Sequence, residues 1–550
     1  MTLDEKVAEY KTKYTVLAVI DLDHWHDLKI YQQDPWLRDT LTSLHQEVYT
    51  NDQRILLTLS RCNNAEILLE RLQHWLYNVD ISSFFIAILS NDPDIAQLWK
   101  SGPDMSGITF DFFQSEKYID DKDQATSSYN NSELVNPIDL DGREQFLLKE
   151  SKTFCMYPWI HLHTYPTGEA YPCCQAEMKV GSIGNSRINT LSEIWNSPKQ
   201  RQLRQDMLSE TFNPTCGRCY EQEDSGFFSG RRSANKHHGH HIKKVKDTQA
   251  DGTVQDFKMT YWDIRFSNLC NLSCRSCGHI FSSSWYQDQV KLAGGDWKDR
   301  NQVLNYAGRT ETDMWEQLIP HLDYVEQIYF AGGEPLMMKE HYNILDELER
   351  RGRFDVRLIY NTNFTHIKLK DRTVFDYWKR FKSVAVGASL DAMGPRAEYI
   401  RKGTDWSVVE SNRKQMLEVC PEVDFYISPT LSIMNALHLP DFHQEWVDQG
   451  LLKPQDLNIN ILQDPFHLRI DLAPKNYKDR IHARFQEHLE WLRPLDPLQR
   501  ATVGFESAIN FMSAADNTHL LDTFWRKTHE LDNIRNENIL TTIPELKALL

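Results

Sequence analysis

No run of 18 apolar residues occurs in the chain, so the sequence offers no transmembrane helix. The opening stretch, M-T-L-D-E-K-V-A-E-Y-K, carries acidic residues and no apolar core. It therefore does not read as a secretory signal, and a cytoplasmic protein is expected. Basic charge is short as well: 61 Lys and Arg face 78 Asp and Glu, a net −17. That balance makes nucleic acid an unlikely partner, because phosphates are gripped by cationic surfaces; the acidic excess reads as solubility. No G-x-G-x-x-G follows Asp21, which leaves nucleotide binding near the N-terminus without support. Cysteine is nearly missing outside one window. Of ten, only Cys62 and Cys420 lie outside residues 155–277, and these two read as buried structural thiols.

What is present is ordinary globular material: 550 residues, 41% apolar and 25% charged. At roughly 150 residues per domain this predicts three or four domains with sizeable cores. Residues 1–120 read as a Rossmann-like α/β module. The runs at 15–21, 54–60 and 84–90 are expected to be buried parallel strands, with a helix over 64–77 between them. Residues 121–150 are polar and read as a linker. Residues 226–258, with K-H-H-G-H-H-I-K-K, read as a solvated connector, since no carboxylate or cysteine stands at a useful offset from the histidines. Residues 259–470 alternate strand and helix. Six strands are expected at 261–266, 325–335 (ending in a Gly-rich turn), 356–363, 383–391, 423–432 and 457–462, with a helix at 340–350. That pattern predicts a partial (β/α)6 TIM-like barrel with its chemistry at the strand C-terminal ends. Residues 471–550 read as a C-terminal helical region.

The chemistry-bearing residues cluster. Cys270, Cys274 and Cys277 form C-x3-C-x2-C directly after the strand at 261–266. Three thiolates on one loop can hold three irons of a cubane and leave the fourth iron open. A second set, Cys155, Cys173, Cys174, Cys216 and Cys219, lies in residues 151–225. Four of these could fill a second cluster or a structural zinc site equally well. Because neighbours on an extended strand point to opposite faces, only one of Cys173 and Cys174 is expected to be a ligand. Between them, L-S-E-I-W-N-S followed by R-Q-L-R-Q-D-M-L reads as an amphipathic helix with Ser192 as its N-cap.

C-N-L-S-C-R-S-C followed downstream by A-G-G-E-P resembles the radical S-adenosylmethionine (SAM) enzymes. The set Cys155, Pro172-Cys173-Cys174, E-I-W-N-S and Cys216-G-R-Cys219 resembles the auxiliary iron–sulfur module called twitch, the shortened form of SPASM. The resemblance covers about residues 151–470, and Gly168 standing five residues before Cys173 favours Cys173 as the ligand. It implies two 4Fe–4S clusters, one on Cys270, Cys274 and Cys277 and one on Cys155, Cys173, Cys216 and Cys219. It implies SAM on the open iron, cleaved reductively to a 5′-deoxyadenosyl radical that takes a substrate hydrogen. An external flavodoxin- or ferredoxin-type donor would supply the electron.

Carried over residue by residue, Gly332, Gly333, Glu334 and Pro335 would receive the methionine end of SAM. Asn361, Asn363 and Ser389 would offer polar contacts, and Arg401 a bidentate partner for the SAM carboxylate. Asn435 and strand 457–462 would line the adenine pocket. Without the resemblance, Glu334 reads equally as a helix-start carboxylate and Arg401 as a surface charge. Two departures stand out: Ser276 replaces the aromatic residue many members place before the third cysteine, leaving Phe281 or Trp285 to cover the adenine, and the auxiliary module precedes the barrel. The expected activity is that of an oxidoreductase or modifying enzyme acting on a peptide or protein side chain, with a sugar or aminoglycoside-like small molecule as the alternative. A metal-cluster scaffold is the non-enzyme reading.

Overall fold

The computed structural model describes residues 140–550 except 225–228, 295–296 and 498, together with the backbone of six strands between Val16 and Phe113. The chain divides into two compact units, residues 1–127 with 489–502, and residues 128–488 with 503–550.

In the first unit the strands are β1 (Val16–Asp21), β2 (Leu28–Gln32), β3 (Val48–Asn51), β4 (Arg54–Leu57), β5 (Phe84–Leu89) and β6 (Ile108–Phe113). One sheet has the order β2-β1-β5-β6, with β1, β5 and β6 parallel and β2 antiparallel at the edge. The expected strands at 15–21 and 84–90 are thus adjacent and parallel. The run at 54–60 is not part of that sheet: β4 folds back antiparallel on β3, because only two residues separate them in sequence and a parallel crossover needs far more. The helix expected over 64–77 lies outside the described residues, as does Cys62.

The second unit is built on one eight-stranded sheet. Its strands are β7 (His161–Thr164), β8 (Glu169–Tyr171), β9 (Gly184–Asn185), β10 (Tyr261–Ile264), β12 (Gln327–Phe330), β13 (Arg357–Thr362), β16 (Val384–Ala388) and β18 (Asp424–Ile427), in the order β18-β16-β13-β12-β10-β7-β8-β9. From β7 to β18 every neighbour is parallel. Shorter pairs accompany it: β11 (Ser273–Cys274) with β17 (Arg401–Lys402), β14 (Lys368–Leu369) with β15 (Arg372–Thr373), and β19 (Thr430–Leu431) with β20 (Asn460–Ile461). The sixth expected strand, at 457–462, is short. It continues the series through a parallel bridge, Ile427 to Leu457, and through β19–β20.

Period-two alternation gives this sheet two unlike faces. Trp262, Ile328, Phe330, Leu358, Tyr360, Val386 and Phe425 are all buried on one face. Each such side chain contributes about 1.5–3 kcal/mol by leaving water. Helices cover this face. His341 of the helix Lys339–Arg350 meets Phe330 edge-on, and Trp378 packs on Tyr360. The other face carries Arg265, Tyr329, Arg357, Asn361 and Tyr426, all half-buried. A parallel strand covered on both sides would be apolar throughout; the polar, half-open face marks where the sheet has no full cover.

The auxiliary segment is not a separate lobe. Its strand β7 pairs with β10 over four residues, His161 to Thr164 against Tyr261 to Ile264. Its core gathers Leu147, Phe154, Met156, Trp159, Leu203, Met207, Ala234, Ile242 and Val245. The expected connector therefore belongs to this core. Gly230–His238 is a helix and Gly239–Asp247 a 3-10 helix, and Ala234, Ile242 and Val245 supply the apolar stripe hidden among the basic residues. The expected linker likewise ends in a capped helix, Gly142–Lys149, with Leu147 buried. The helix read with Ser192 as its cap is two helices. Thr190 caps Leu191–Trp195 in a capping box with Glu193, and Ser197 caps Pro198–Leu208. Pro198 cannot continue the first helix and starts the second.

Candidate functional site

The three-cysteine loop leaves the C-terminal end of β10. Cys274 is buried, and Cys270 and Cys277 are half-buried. The loop is sewn down by the serines that follow it. Ser283 Oγ accepts from Cys270 N (3.2 Å), Ser284 Oγ donates to Cys270 O (2.8 Å), and Ser282 Oγ donates to Leu272 O (2.5 Å). Buried Asn268 donates to His279 O and Val303 O and accepts from Asn305 N. Trp285 Nε1 donates to Cys274 O (2.8 Å), so this ring packs against the backbone of the loop. Burial pushes the Cys270 and Cys277 thiols up to about 12. A bound cation is what would hold such thiols as thiolates.

Two elements press on the loop from its neighbours. At the end of β12, Gly333 N donates to Ser267 O (3.3 Å) and Glu334 N to Leu269 O (2.7 Å). A Cβ on Gly333 would stand 2.1 Å from Leu269 O, and Gly332 has φ +127°; only glycine allows this approach. The Glu334 carboxylate is fully buried. It accepts from Leu336 N (3.0 Å), Thr362 Oγ1 (2.7 Å) and Asn363 N (2.7 Å). It locks the turn to β13, and burial pushes it up to about 7. Pro335 is buried beside it. Asn363 Nδ2 donates to Asn271 Oδ1 (2.9 Å) and lies 3.9 Å from Cys270 Sγ. Its role here is to tie the cysteine loop to β13. Asn361 and Ser389 are half-buried, at the C-terminal end of β13 and just past that of β16, on the open face.

Arg401 is placed by β17, where it pairs in register with Cys274. Its Nε and one terminal nitrogen grip Asp391, both at 2.8 Å, and the other terminal nitrogen lies 3.7 Å from Cys274 Sγ. The fork assigned by resemblance to a SAM carboxylate is thus engaged by Asp391, and the free nitrogen serves Cys274. Asn435 is buried with its amide fully used: it donates to Asp391 O and Thr430 O and accepts from Ser432 N. It lines no pocket. Phe281 packs edge-on against Tyr165.

A contact the sequence did not reveal comes from the C-terminal helix Leu521–Arg535. Arg275, inside the cysteine motif, pairs with Asp532 at 2.5 Å and Glu537 at 2.6 Å, and its guanidinium lies 3.7 Å over the Tyr399 ring. Arg535 donates to Ser273 O (2.8 Å) and pairs with Asp288 (2.9 Å). Nothing local in the sequence signals partners more than 250 residues away.

In the auxiliary set, Cys155 precedes the 3-10 turn Tyr157–Trp159 and Cys173 follows β8. Cys216 and Cys219 straddle the start of the helix Gly217–Asp224. Burial raises the Cys173 thiol first, and adjacent Cys174 together with Cys216, Cys155 and Cys219 raises it further. Cys174 is exposed as a residue, and after burial its thiol is acted on most by Asp263 and Arg265, with Cys219 behind them. Buried Arg231 donates to Ser151 O (2.9 Å) and Phe154 O (2.8 Å) and pairs with Glu223. It clamps the backbone just before Cys155 and sets a cation beside the four sulfurs.

Between the two cysteine sets lies a charged group on the open face. Buried Asp263 pairs with His163 Nδ1 at 2.8 Å and with Arg265 Nε at 3.3 Å. Burial would raise the Asp263 carboxyl, but His163 and Arg265 hold it well below the usual range. The terminal nitrogens of Arg265 have no hydrogen-bond partner among the described residues, and the side chain is 20% exposed. The signal was present in the sequence: Asp263 and Arg265 interrupt an otherwise apolar strand on one face.

Residues 155–220 match the family model for SPASM, an iron–sulfur cluster-binding domain. No curated protein is significantly similar to the chain. Native anSMEcpe with bound AdoMet superposes on 41% of this chain and 59% of its own, at 20% identity and a TM-score of 0.29. The same protein with bound AdoMet and the Kp18Cys peptide gives 21% identity over 41% and 59%, TM-score 0.29. TYW1 with a lysine–pyruvate adduct bound gives 13% identity over 43% and 72%, TM-score 0.23. The chain thus spans about three-fifths of the first of these structures.

Proposed function

We propose that this chain is a radical SAM enzyme with an auxiliary iron–sulfur cluster, built on an open (β/α)6 barrel of strands β10, β12, β13, β16, β18 and the short strand at 457–462. The observation that carries the reading is the docking of the Gly332–Gly333 turn onto the backbone of the Cys270–Cys277 loop. The turn and the three thiols share one end of adjacent parallel strands.

The residues fit the groups this chemistry needs. Three thiols on one loop suit a cubane with one open iron, and the glycine turn lets the end of β12 close directly onto that loop, where a Cβ on Gly333 would meet Leu269 O. Bound there, the cluster and SAM would supply reductive cleavage of the sulfonium and a radical able to take a substrate hydrogen. The chain's own part is placement and charge. Arg401 sets a cation against Cys274 and offsets thiolate repulsion. Glu334 and Asn363 fix the turn and the loop in one geometry. Asn361 and Ser389 offer polar contacts to the ribose or amino-acid end of SAM.

Cys155, Cys173, Cys216 and Cys219 fit a fully ligated second cluster. The match of this segment to an iron–sulfur family favours iron over zinc. A cluster with four protein ligands moves electrons, so the reaction is read as an oxidation or modification, with a flavodoxin- or ferredoxin-type donor feeding the first cluster. The substrate is read as lying on the open face, where the terminal nitrogens of Arg265, unpaired among the described residues, would meet a carboxylate or similar anion. A peptide or protein side chain fits that reading. The test is iron and sulfide analysis of the anaerobically reconstituted chain. About eight irons per chain supports it; about four irons with a zinc overturns the second cluster.

A further inference from the structure

His240 and His241 sit side by side on the 3-10 helix Gly239–Asp247, and both aim at one carboxylate 85 residues away. His240 Nε2 is 2.8 Å and His241 Nε2 3.0 Å from the same oxygen, Glu326 Oε2. Their rings stand 4.1 Å apart. Among the described residues this is the one group of three His, Cys, Asp or Glu side chains whose ligand atoms lie within 4.8 Å of one another. From this convergence we infer that His240, His241 and Glu326 form a zinc site, its fourth position open to water, that joins the auxiliary module to the base of the central sheet.

The chemistry of the set suits that ion. Two imidazole nitrogens and a carboxylate oxygen are ligands zinc takes readily, and three protein ligands with an open outer side leave a position for water. The outer side is open here: the three side chains are 25%, 10% and 44% exposed. The donors are also held from behind. Glu326 directly precedes β12, where its N donates to Thr260 O (2.8 Å) and its O accepts from Arg357 N (2.8 Å). On the other side Ile242 and Val245 bury the turn that carries the histidines in the auxiliary core. His240 Nδ1 is buried without a hydrogen-bond partner.

The position says what the ion would do. Glu326 lies at the N-terminal end of β12, whereas Gly332 and Gly333 lie beyond its C-terminal end. In parallel α/β sheets the C-terminal side carries chemistry and the N-terminal side stability. The site would therefore staple two parts of the fold and not take part in turnover. It does not depend on the radical chemistry proposed above.

The experiment is equilibrium dialysis of the full chain, loaded anaerobically with iron and sulfide, against micromolar zinc chloride, followed by metal analysis and thermal unfolding. Wild type should hold about one zinc per chain beyond its iron and unfold at a higher temperature with zinc than without. The variants His240→Ala, His241→Ala and Glu326→Gln should lose that zinc and its thermal shift while keeping the iron content of wild type. Equal zinc in wild type and variants, or none in wild type, overturns the site. A variant that loses iron as well is replaced by His241→Asn, judged by the same two readouts.

Discussion

Arg275, in the middle of the three-cysteine motif, is paired at 2.5 Å with Asp532 of the C-terminal helix, 257 residues away. Both side chains are nearly fully buried, and Tyr399 joins them, its ring under the guanidinium and its hydroxyl donating to Asp532 at 2.8 Å. The cysteine loop is thus braced from outside the sheet by the last part of the chain.

Removing one partner of that pair should therefore do more than trim a surface contact. Asp532→Ala leaves the Arg275 charge buried with only Glu537 to answer it, and breaking such a pair costs about 3–5 kcal/mol. Denaturant unfolding should show that loss. The variant should also retain less iron after desalting, since the loop that holds it is no longer braced.

The adjacent cysteines separate two roles. Cys173→Ala should drop iron from about eight to about four per chain, because Cys173 stands among Cys155, Cys216 and Cys219. Cys174→Ala should leave iron unchanged, because Asp263 and Arg265 act on that thiol more strongly than any other cysteine does. Iron analysis of the two variants side by side decides between them.

Glu334 predicts a pH dependence. Its folded carboxyl holds the proton up to about 7, against 4.5 for the ordinary group, because it is buried. The folded state therefore binds this proton more tightly than the unfolded state. Its contribution is fully present below pH 4.5 and is lost as pH rises to about 7, some ~3 kcal/mol in all. Glu334→Gln cannot ionise, so its denaturation midpoint, followed across that window, should lack this decline. An identical decline in the variant would assign the effect elsewhere.

Gly333→Ala tests the docking of the turn. Its Cβ would stand 2.1 Å from Leu269 O, and a backbone forced to give way costs typically ~1–3 kcal/mol. SAM-dependent 5′-deoxyadenosine formation should fall by about tenfold or more, roughly tenfold per 1.4 kcal/mol, with iron at the auxiliary cysteines retained.

These relationships differ in how far the sequence discloses them. Cys270, Cys274, Cys277 and the Gly332–Gly333 turn are legible because their chemistry depends on short spacing after predicted strands. Strand alternation says only that one of Cys173 and Cys174 is a ligand; the choice of Cys173 is what the resemblance implies through the spacing from Gly168. Asp263 and Arg265 stand out as polar interruptions of an apolar strand, but nothing beside them in sequence points to His163 as their partner. Other features are set by packing between distant segments. Asp532 finds Arg275, Glu326 finds His240 and His241, and Asp391 occupies Arg401 only once the sheet has brought them together. The burial of the connector is hidden for a related reason: Ala234, Ile242 and Val245 form their apolar stripe across two helix types, and composition alone shows only lysine and histidine. The hairpin of β3 and β4 is not legible because a short apolar run does not reveal the direction of its partner.

The most direct test of the central claim is anaerobic incubation of the reconstituted chain with SAM and dithionite, followed by quantification of 5′-deoxyadenosine. Wild type should form it, and Cys270→Ala, Cys274→Ala and Cys277→Ala should not. Formation in wild type no greater than in these three variants would contradict the account.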